Sequence, residues 1–487
     1  MMSNNTDSQN HVCDLSRRDF LGGCAACAAG LAGISALSAT YAQTLDTKPR
    51  PKTRIRIFFT HEPPEKATWP NIGYDYEGRK KELLAKLKKA CPGIEFIPTT
   101  ITRAQAKEKA RQVLNSDKGK DIDGYIVYMV GIWVRASRSV AEAGLPTIFV
   151  DDLYAGSGEF LTEYARAKRK GLKVIGVSSS NFEDVAEAVH CFECIKQLRS
   201  SNILEVGAGP GYWAYVDYKL IEDTLGPRVV PIDFAQLDKA YNVVDQAQAN
   251  KWAKKWIKDA SKVVEPSQKE IEKSAAMYLA MLDLMQQQKA QAIAINCLGG
   301  FYGGKMKAYP CLGFFQLNND GYVGACEADM CSTLTMLIMA YLVNRPGYIS
   351  DPVIDTSKNQ VIYAHCVAPN KVFGPRGPAN KYHIRSHSED RKGAAIRSLM
   401  PLREMTTTIK FDPRKMQVIF HQGKTVENVD EDKACRTKLA VEPIGDIYKL
   451  LNFWDEWSWH RVTFYGDLKR PVYNIAALLG FEVVQEA

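Results

Sequence analysis

Three things are scarce or missing in this 487-residue sequence, and each narrows what the chain can be. It has no long block of lysine and arginine interleaved with aromatics. Its 63 basic and 55 acidic residues are spread along the chain, so a net charge of +8 speaks for solubility and mild attraction to anions, not for a nucleic-acid surface. Neither internal repeats nor low-complexity tracts occur. A disulfide framework is also missing. Of twelve cysteines, Cys13, Cys24 and Cys27 lie in the N-terminal segment, leaving Cys91, Cys191, Cys194, Cys297, Cys311, Cys326, Cys331, Cys366 and Cys435. Nine thiols at irregular spacing read mostly as buried small hydrophobes. Cys191-Phe192-Glu193-Cys194 has redox-motif spacing. It sits inside the apolar helical stretch 182–198, however, and not at a helix start, where a thiolate would be stabilised.

What is present begins with a leader. Ser16-Arg17-Arg18-Asp19-Phe20-Leu21 is a twin-arginine signature, followed by an Ala/Gly-rich, weakly apolar run to Leu37 and by small residues, Thr40 and Ala42, suited to cleavage before Gln43. Residues 1–42 are therefore expected to be a twin-arginine signal that engages the translocase. The product would be periplasmic or extracellular, exported already folded. An uncleaved anchor, or a lipobox at Leu21-Gly22-Gly23-Cys24, stay open as alternatives.

At this length two or three domains are expected. Residues 43–54 read as a linker. Over 55–198, apolar strands (Ile55–Phe59, Glu95–Pro98, Gly124–Met129, Thr147–Val150, Lys173–Ser178) alternate with amphipathic helices, the pattern of a doubly wound parallel sheet. The pattern restarts over 199–346 with strands at 202–206, 229–232, 292–297 and 322–325. A long helix, 267–287, opens on the capping-box spacing Ser267–Glu270. Residues 347–487 are rich in β-formers and turns and predict an antiparallel sheet or barrel. The expected fold class is thus α/β: two Rossmann-like domains followed by a β-rich C-terminal domain.

In doubly wound sheets, ligands bind at the carboxyl ends of strands. Glu327 sits at such an end, between strand 322–325 and an apolar helix. Asp351 follows 24 residues later, and His460 far downstream. Two carboxylates and an imidazole suit Mn²⁺, Mg²⁺ or Co²⁺ with open positions for substrate oxygens. Taken singly, each acid is more often a helix N-cap or a surface charge, and His460 more often an ordinary partly buried histidine.

From about Ile55 to Val484 the chain resembles the L-fucose isomerase-like family, with a fainter likeness to L-arabinose isomerases. The resemblance rests on Gly324-Ala325-Cys326-Glu327-Ala328-Asp329, Asp351-Pro352-Val353, the Asn359–Cys366 segment, and His460-Arg461-Val462 before Tyr465-Gly466-Asp467. It implies a metal-dependent aldose–ketose isomerase acting on a monosaccharide. Glu327 and Asp351 would be the catalytic acid–base pair. Glu327, Asp351 and His460 would be ligands of a manganese ion, and His365 a candidate fourth ligand. Arg385, His387 and Trp459 would be candidates to line the pocket. It further implies a homo-oligomer, trimeric or hexameric, in which Trp69, Trp133 or Arg135 would reach a neighbouring subunit's site.

Two rival classes stand beside this one. Ile203–Trp213, with Gly207, Gly209 and Gly211, reads like the first motif of an S-adenosylmethionine-dependent methyltransferase, Asp233 serving as the ribose-binding acid. Two α/β domains with a cleft between them also describe exported sugar-binding proteins without catalysis.

Overall fold

The computed structural model describes residues 52–487, which form one compact unit. The twin-arginine signal, the cleavage site and most of the linker lie outside the described residues. No helix among the described residues is long and apolar enough to cross a membrane.

The first sheet contains β1 (Thr53–His61), β2 (Ile94–Thr102), β3 (Gly124–Met129), β4 (Thr147–Asp151) and β5 (Val174–Ser178). All are parallel, in the order β2-β1-β3-β4-β5. β3 and β4 are buried along their whole length, as strands covered by helices on both faces must be. β1 begins at Thr53, inside the expected linker 43–54. Arg54 and Thr53 already pair with β2, and the Arg54 N–H donates to Asp123 at 2.9 Å, so the first domain opens two residues earlier than the apolar run suggests.

The second sheet contains β6 (Asn202–Val206), β7 (Arg228–Ile232), β9 (Ala292–Ile295) and β10 (Val323–Ala325), in the parallel order β10-β9-β6-β7. The two-residue β8 (Lys262–Val263) leaves this domain and joins β13 (Tyr382–Arg385) and β14 (Ala395–Ser398) in a small separate sheet, tying the second and third regions together. Ser267 caps the helix Gln268–Gln287 by accepting the Glu270 N–H, as its spacing predicts.

The C-terminal region holds β11 (Tyr348–Asp355), β12 (Gln360–His365), β15 (Met405–Asp412), β16 (Gln417–Asn428), β17 (Thr437–Ile444), β18 (Arg461–Tyr465) and β19 (Glu482–Gln485). Their order is β15-β18-β11-β12-β17-β16-β19. Because β15 also pairs with β16, the six antiparallel strands close on themselves as a barrel, with β19 added in parallel on β16. Both alternatives of "sheet or barrel" were open from sequence, and long-range pairing decides for the barrel. Between β18 and β19 the helix Lys469–Leu479 crosses to pack on the helix Phe182–Arg199 and on β5 of the first domain.

Candidate metal centre

The helix Met330–Val343 is buried on nearly all sides and joins the second sheet to the barrel. Asp329 caps it, accepting the Ser332 N–H at 3.0 Å and the Ser332 hydroxyl at 2.9 Å. Just before this cap, β10 ends in a single tight turn in which Glu327 (φ 55°) and Ala328 (φ 46°) both adopt left-handed backbone. Such conformations cost about 1–2 kcal/mol for a residue with a Cβ and persist where the surroundings enforce them. The Tyr212 hydroxyl supplies part of that enforcement by donating to the Glu327 carbonyl at 2.8 Å.

Asp351 and His460 are brought in by the barrel. Ser350 of β11 faces Arg461 of β18, so the antiparallel register sets Asp351 opposite His460. His460 Nε2 lies 3.2 Å from Asp351 Oδ1 and 3.6 Å from Glu327 Oε2. It is fully buried and makes no hydrogen bond. The opposite ring nitrogen, Nδ1, donates to Asp329 Oδ2 at 3.1 Å, which orients the ring and aims Nε2 at the two carboxylates. Lys410 of β15, also fully buried, donates to the same Asp329 oxygen at 2.9 Å. Donor atoms of Glu327, Asp351 and His460 all fall within 4.8 Å of one another. Neighbouring ligands of one hard divalent ion sit about 3 Å apart, given bonds near 2.1 Å, so this donor set fits such an ion.

The charges bear on the same point. Burial raises Glu327 above the ordinary carboxylate range, against the pull of His460 and His365. Burial would lift Asp351 and Asp329 too, but His365 and His460 hold Asp351 low, and Lys410 and His460 hold Asp329 low. Burial works to lower His460, yet Asp329 and Asp351 outweigh it and push the imidazole up to about 10. An ion bound there displaces that proton.

His365 closes β12, and its Nδ1 lies 3.1 Å from Asp351 Oδ2, so it adjoins the cluster through Asp351. Trp459, half-exposed, donates its indole N–H to Asp351 Oδ1 at 2.7 Å and stands at the rim. Trp454 and Trp457 are buried, and the Arg461 guanidinium stacks on Trp454. Arg385 does not join the cluster. Its guanidinium is held by Glu265 at 2.8 and 2.9 Å and by Asp432 at 3.3 Å, a surface ion-pair network. His387 is buried against Phe301 and Tyr309 and bonded to Asp390 at 3.3 Å.

The glycine-rich turn after β6 is engaged in the same centre. Gly207 has φ 68°, and a Cβ there would meet the Phe234 ring at 2.2 Å. Beyond Gly211 the turn delivers Tyr212 to Glu327 and sets the Trp213 ring 5.5 Å from His460. Asp233, the ribose-binding acid of the methyltransferase reading, is a helix N-cap in a capping box with Gln236. All nine cysteines of the described residues are free, and all but Cys435 are buried. Burial pushes the Cys191 thiol up to about 12, the opposite of a redox-active cysteine.

Sequence reasoning missed Asp329 as the partner of His460, Lys410 as the partner of Asp329, and Tyr212 and Trp213 as walls of the centre. For Asp329 a signal existed: a second acid two residues after Glu327, at the N-cap of a long apolar helix. For Lys410, a lysine in a β-rich run, there was none.

No family model matches the chain. Against curated proteins it is 24% identical over 336 residues to the sulfoquinovose isomerase of Clostridium sp., covering 62% of this chain and 69% of that one. It is 25% identical over 312 residues to the sulfoquinovose isomerase of Alkalicoccus urumqiensis, with the same coverage of 62% and 69%. With that of Priestia megaterium it shares 25% over 204 residues, covering 41% of this chain and 44% of that one. Among solved structures, a solute-binding protein from Bacillus halodurans with bound myo-inositol matches at 14% identity over 60% of this chain and 90% of that chain. Its TM-score of 0.18 is too low to carry weight. The curated relatives make the chain a sugar isomerase in class, an enzyme and an intramolecular oxidoreductase, which sets aside both the methyltransferase and the non-catalytic binder.

Proposed function

We propose that the chain is a metal-dependent aldose–ketose isomerase of the L-fucose isomerase type, with Glu327, Asp351 and His460 holding one divalent ion, Mn²⁺ first among candidates. The observation that carries this reading is the convergence of these three side chains, from segments up to 133 positions apart, around a buried imidazole nitrogen that has no protein hydrogen bond.

Bound divalent metal would polarise the sugar's carbonyl and adjacent hydroxyl oxygens and offset the negative charge that builds there. The chain's own groups then have distinct tasks. Isomerisation takes a proton from the carbon beside the carbonyl and returns it to the neighbouring carbon, by way of an enediolate. Glu327, raised by burial above the ordinary carboxylate range, is suited to accept that proton, and Asp351 is the second carboxylate in reach of the opposite carbon. His460 is a ligand only, oriented by Asp329. Trp213 and Trp459 offer faces for the apolar side of a sugar ring, and together with the buried wall of the helix Met330–Val343 they limit water. The monosaccharide to try first is sulfoquinovose, the substrate named for the relatives, followed by L-fucose and L-arabinose.

The test is deuterium entry from D₂O at the carbon next to the carbonyl, followed by NMR on Mn²⁺-loaded protein with those sugars. Exchange lost in Glu327→Gln, with metal content lost in His460→Ala, is the expected outcome. A fully metallated protein that exchanges none of them would sink the reading. Twin-arginine export and a homo-oligomer with Trp69, Trp133 or Arg135 near a neighbour's site complete the proposal. Reporter export from the 1–42 segment, with and without Arg17-Arg18, and the solution mass check them.

A further inference from the structure

Asp351 has two carboxylate oxygens, and only Oδ1 faces His460. Oδ2 looks onto a different set of donors. It lies 3.1 Å from His365 Nδ1 and 3.7 Å from Cys435 Sγ, and those two atoms are 4.0 Å apart. Around a tetrahedral ion with bonds of about 2.0–2.3 Å, an oxygen and a nitrogen stand roughly 3.3 Å apart, and either stands roughly 3.6 Å from a sulfur. The triangle in this protein departs from those separations by only a few tenths of an ångström.

The donors come from three separate places, β11, the end of β12 and the segment before β17, so their meeting is a product of the barrel and not of one helix or loop. A second thiol adjoins them. The Ser388 hydroxyl lies 3.8 Å from the Cys366 sulfur and 3.7 Å from the Cys435 sulfur. The second ring nitrogen of His365, Nε2, is buried without a hydrogen-bond partner. Arg436, the neighbouring cation, is committed to Ser386 and Asp432.

We propose that Asp351 Oδ2, His365 and Cys435 form a second metal site that takes a thiophilic divalent ion of the Zn²⁺ type, joined to the Glu327–His460 site through the shared Asp351 carboxylate. Sulfur and imidazole select zinc over manganese or magnesium, while the oxygen-rich set next to it keeps the harder ion. In this assignment His365 serves the second site, while a donor of its ring also lies within 4.8 Å of Glu327 and Cys326. The proposal shares Asp351 with the isomerase reading but does not depend on turnover, which the deuterium assay reads separately.

Cobalt titration of the reduced, demetallated full chain tests it. Two Co²⁺ per chain are expected, with a sulfur-to-cobalt charge-transfer band in the near ultraviolet. Cys435→Ser should remove the band and one equivalent of cobalt, and Glu327→Gln should keep the band while losing the other equivalent. Should Cys435→Ser fail to fold, X-ray absorption on the zinc-loaded wild type replaces it, with a sulfur scatterer at about 2.3 Å expected. A wild type without the band, a stoichiometry that Cys435→Ser leaves unchanged, zinc without a sulfur neighbour, or a Cys366–Cys435 disulfide in the protein as isolated would each overturn the second site.

Discussion

At the scale of single residues, the balance around Asp329 governs the centre. One carboxylate caps a helix, orients His460 and neutralises a lysine that has no access to water. Asp329→Asn keeps the cap but leaves Lys410 buried without its counter-ion, at a cost of about 3–5 kcal/mol. Adding Lys410→Met should recover most of that loss. Metal affinity, by contrast, should stay roughly 10–100-fold down in both variants, because neither restores the oriented imidazole. Thermal midpoints and manganese calorimetry on the two variants separate the effects, and full recovery of affinity in the double variant would contradict this division. Glu327 gives a second residue-scale prediction. Glu327→Gly removes both a left-handed Cβ and a buried carboxylate, so the metal-free protein should gain about 1 kcal/mol in denaturant melts while metal binding is lost. A net destabilisation would show that the turn is unstrained. The convergence of Glu327, Asp351 and His460 was readable at this scale because the motifs around them are specific. Arg385 and His387 are engaged by Glu265, Asp432 and Asp390, partners that a basic residue in a strand does not reveal in sequence.

At the scale of elements, β19 and β18 are locked by one buried group. Glu486 receives the Arg461 guanidinium, including Nε at 2.8 Å, and His421 Nδ1 at 2.9 Å. Burial alone would raise Glu486, but Arg461 and His421 overcome it and bring the carboxyl down to about 2. A lowered carboxylate contributes stability that is complete above its ordinary value, near 4.5, and fades as pH falls from there toward 2. Glu486→Gln should therefore cost about 3–5 kcal/mol at neutral pH, and its gap from wild type should narrow below pH 4.5. Denaturant midpoints between pH 3 and 7 check this, and a gap independent of pH would assign the loss to packing. Elements were legible from sequence where one face is apolar, as in β2, β7 and the helix Gln268–Gln287, or where a short apolar run stands between turns, as in β3 and β4. They were hidden where the inner face carries charge or no face is polar. The helix Ser157–Arg169 turns Glu159 and Glu163 inward, where they cap Val134 and Arg135 and pair with Arg138, so its stripe reads as polar. The helix Cys311–Asn319 is buried all round and has no period to detect.

At the scale of the whole molecule, the alternation of strands and helices made the two parallel sheets legible, but not the β8–β13 pairing, the closure of the barrel or the return of the chain to its front. Those depend on pairings between residues far apart in the chain, more than 50 positions for β15–β18 and more than 100 for β8–β13 and β11–β18, for which sequence period carries no information. The helix Lys469–Leu479 makes that return, burying Val472, Ile475, Ala476 and Leu478 while Arg470 meets Asp184 and Glu187 at the edge. Ile475→Ala should cost about 2–4 kcal/mol. Hydrogen exchange should rise in the helix Phe182–Arg199 and in β5 as well as in β19. Exchange confined to residues 469–485 would mean the front and the barrel unfold independently. That crossing helix also limits how such proteins can diversify. Recombination between two homologues at the seam near residue 199 would join a front from one parent to a tail fitted to the other, leaving a mismatched surface at both ends. Viable chimeras should be those that inherit residues 469–479 together with the first domain, so these two distant stretches of gene should travel as a pair.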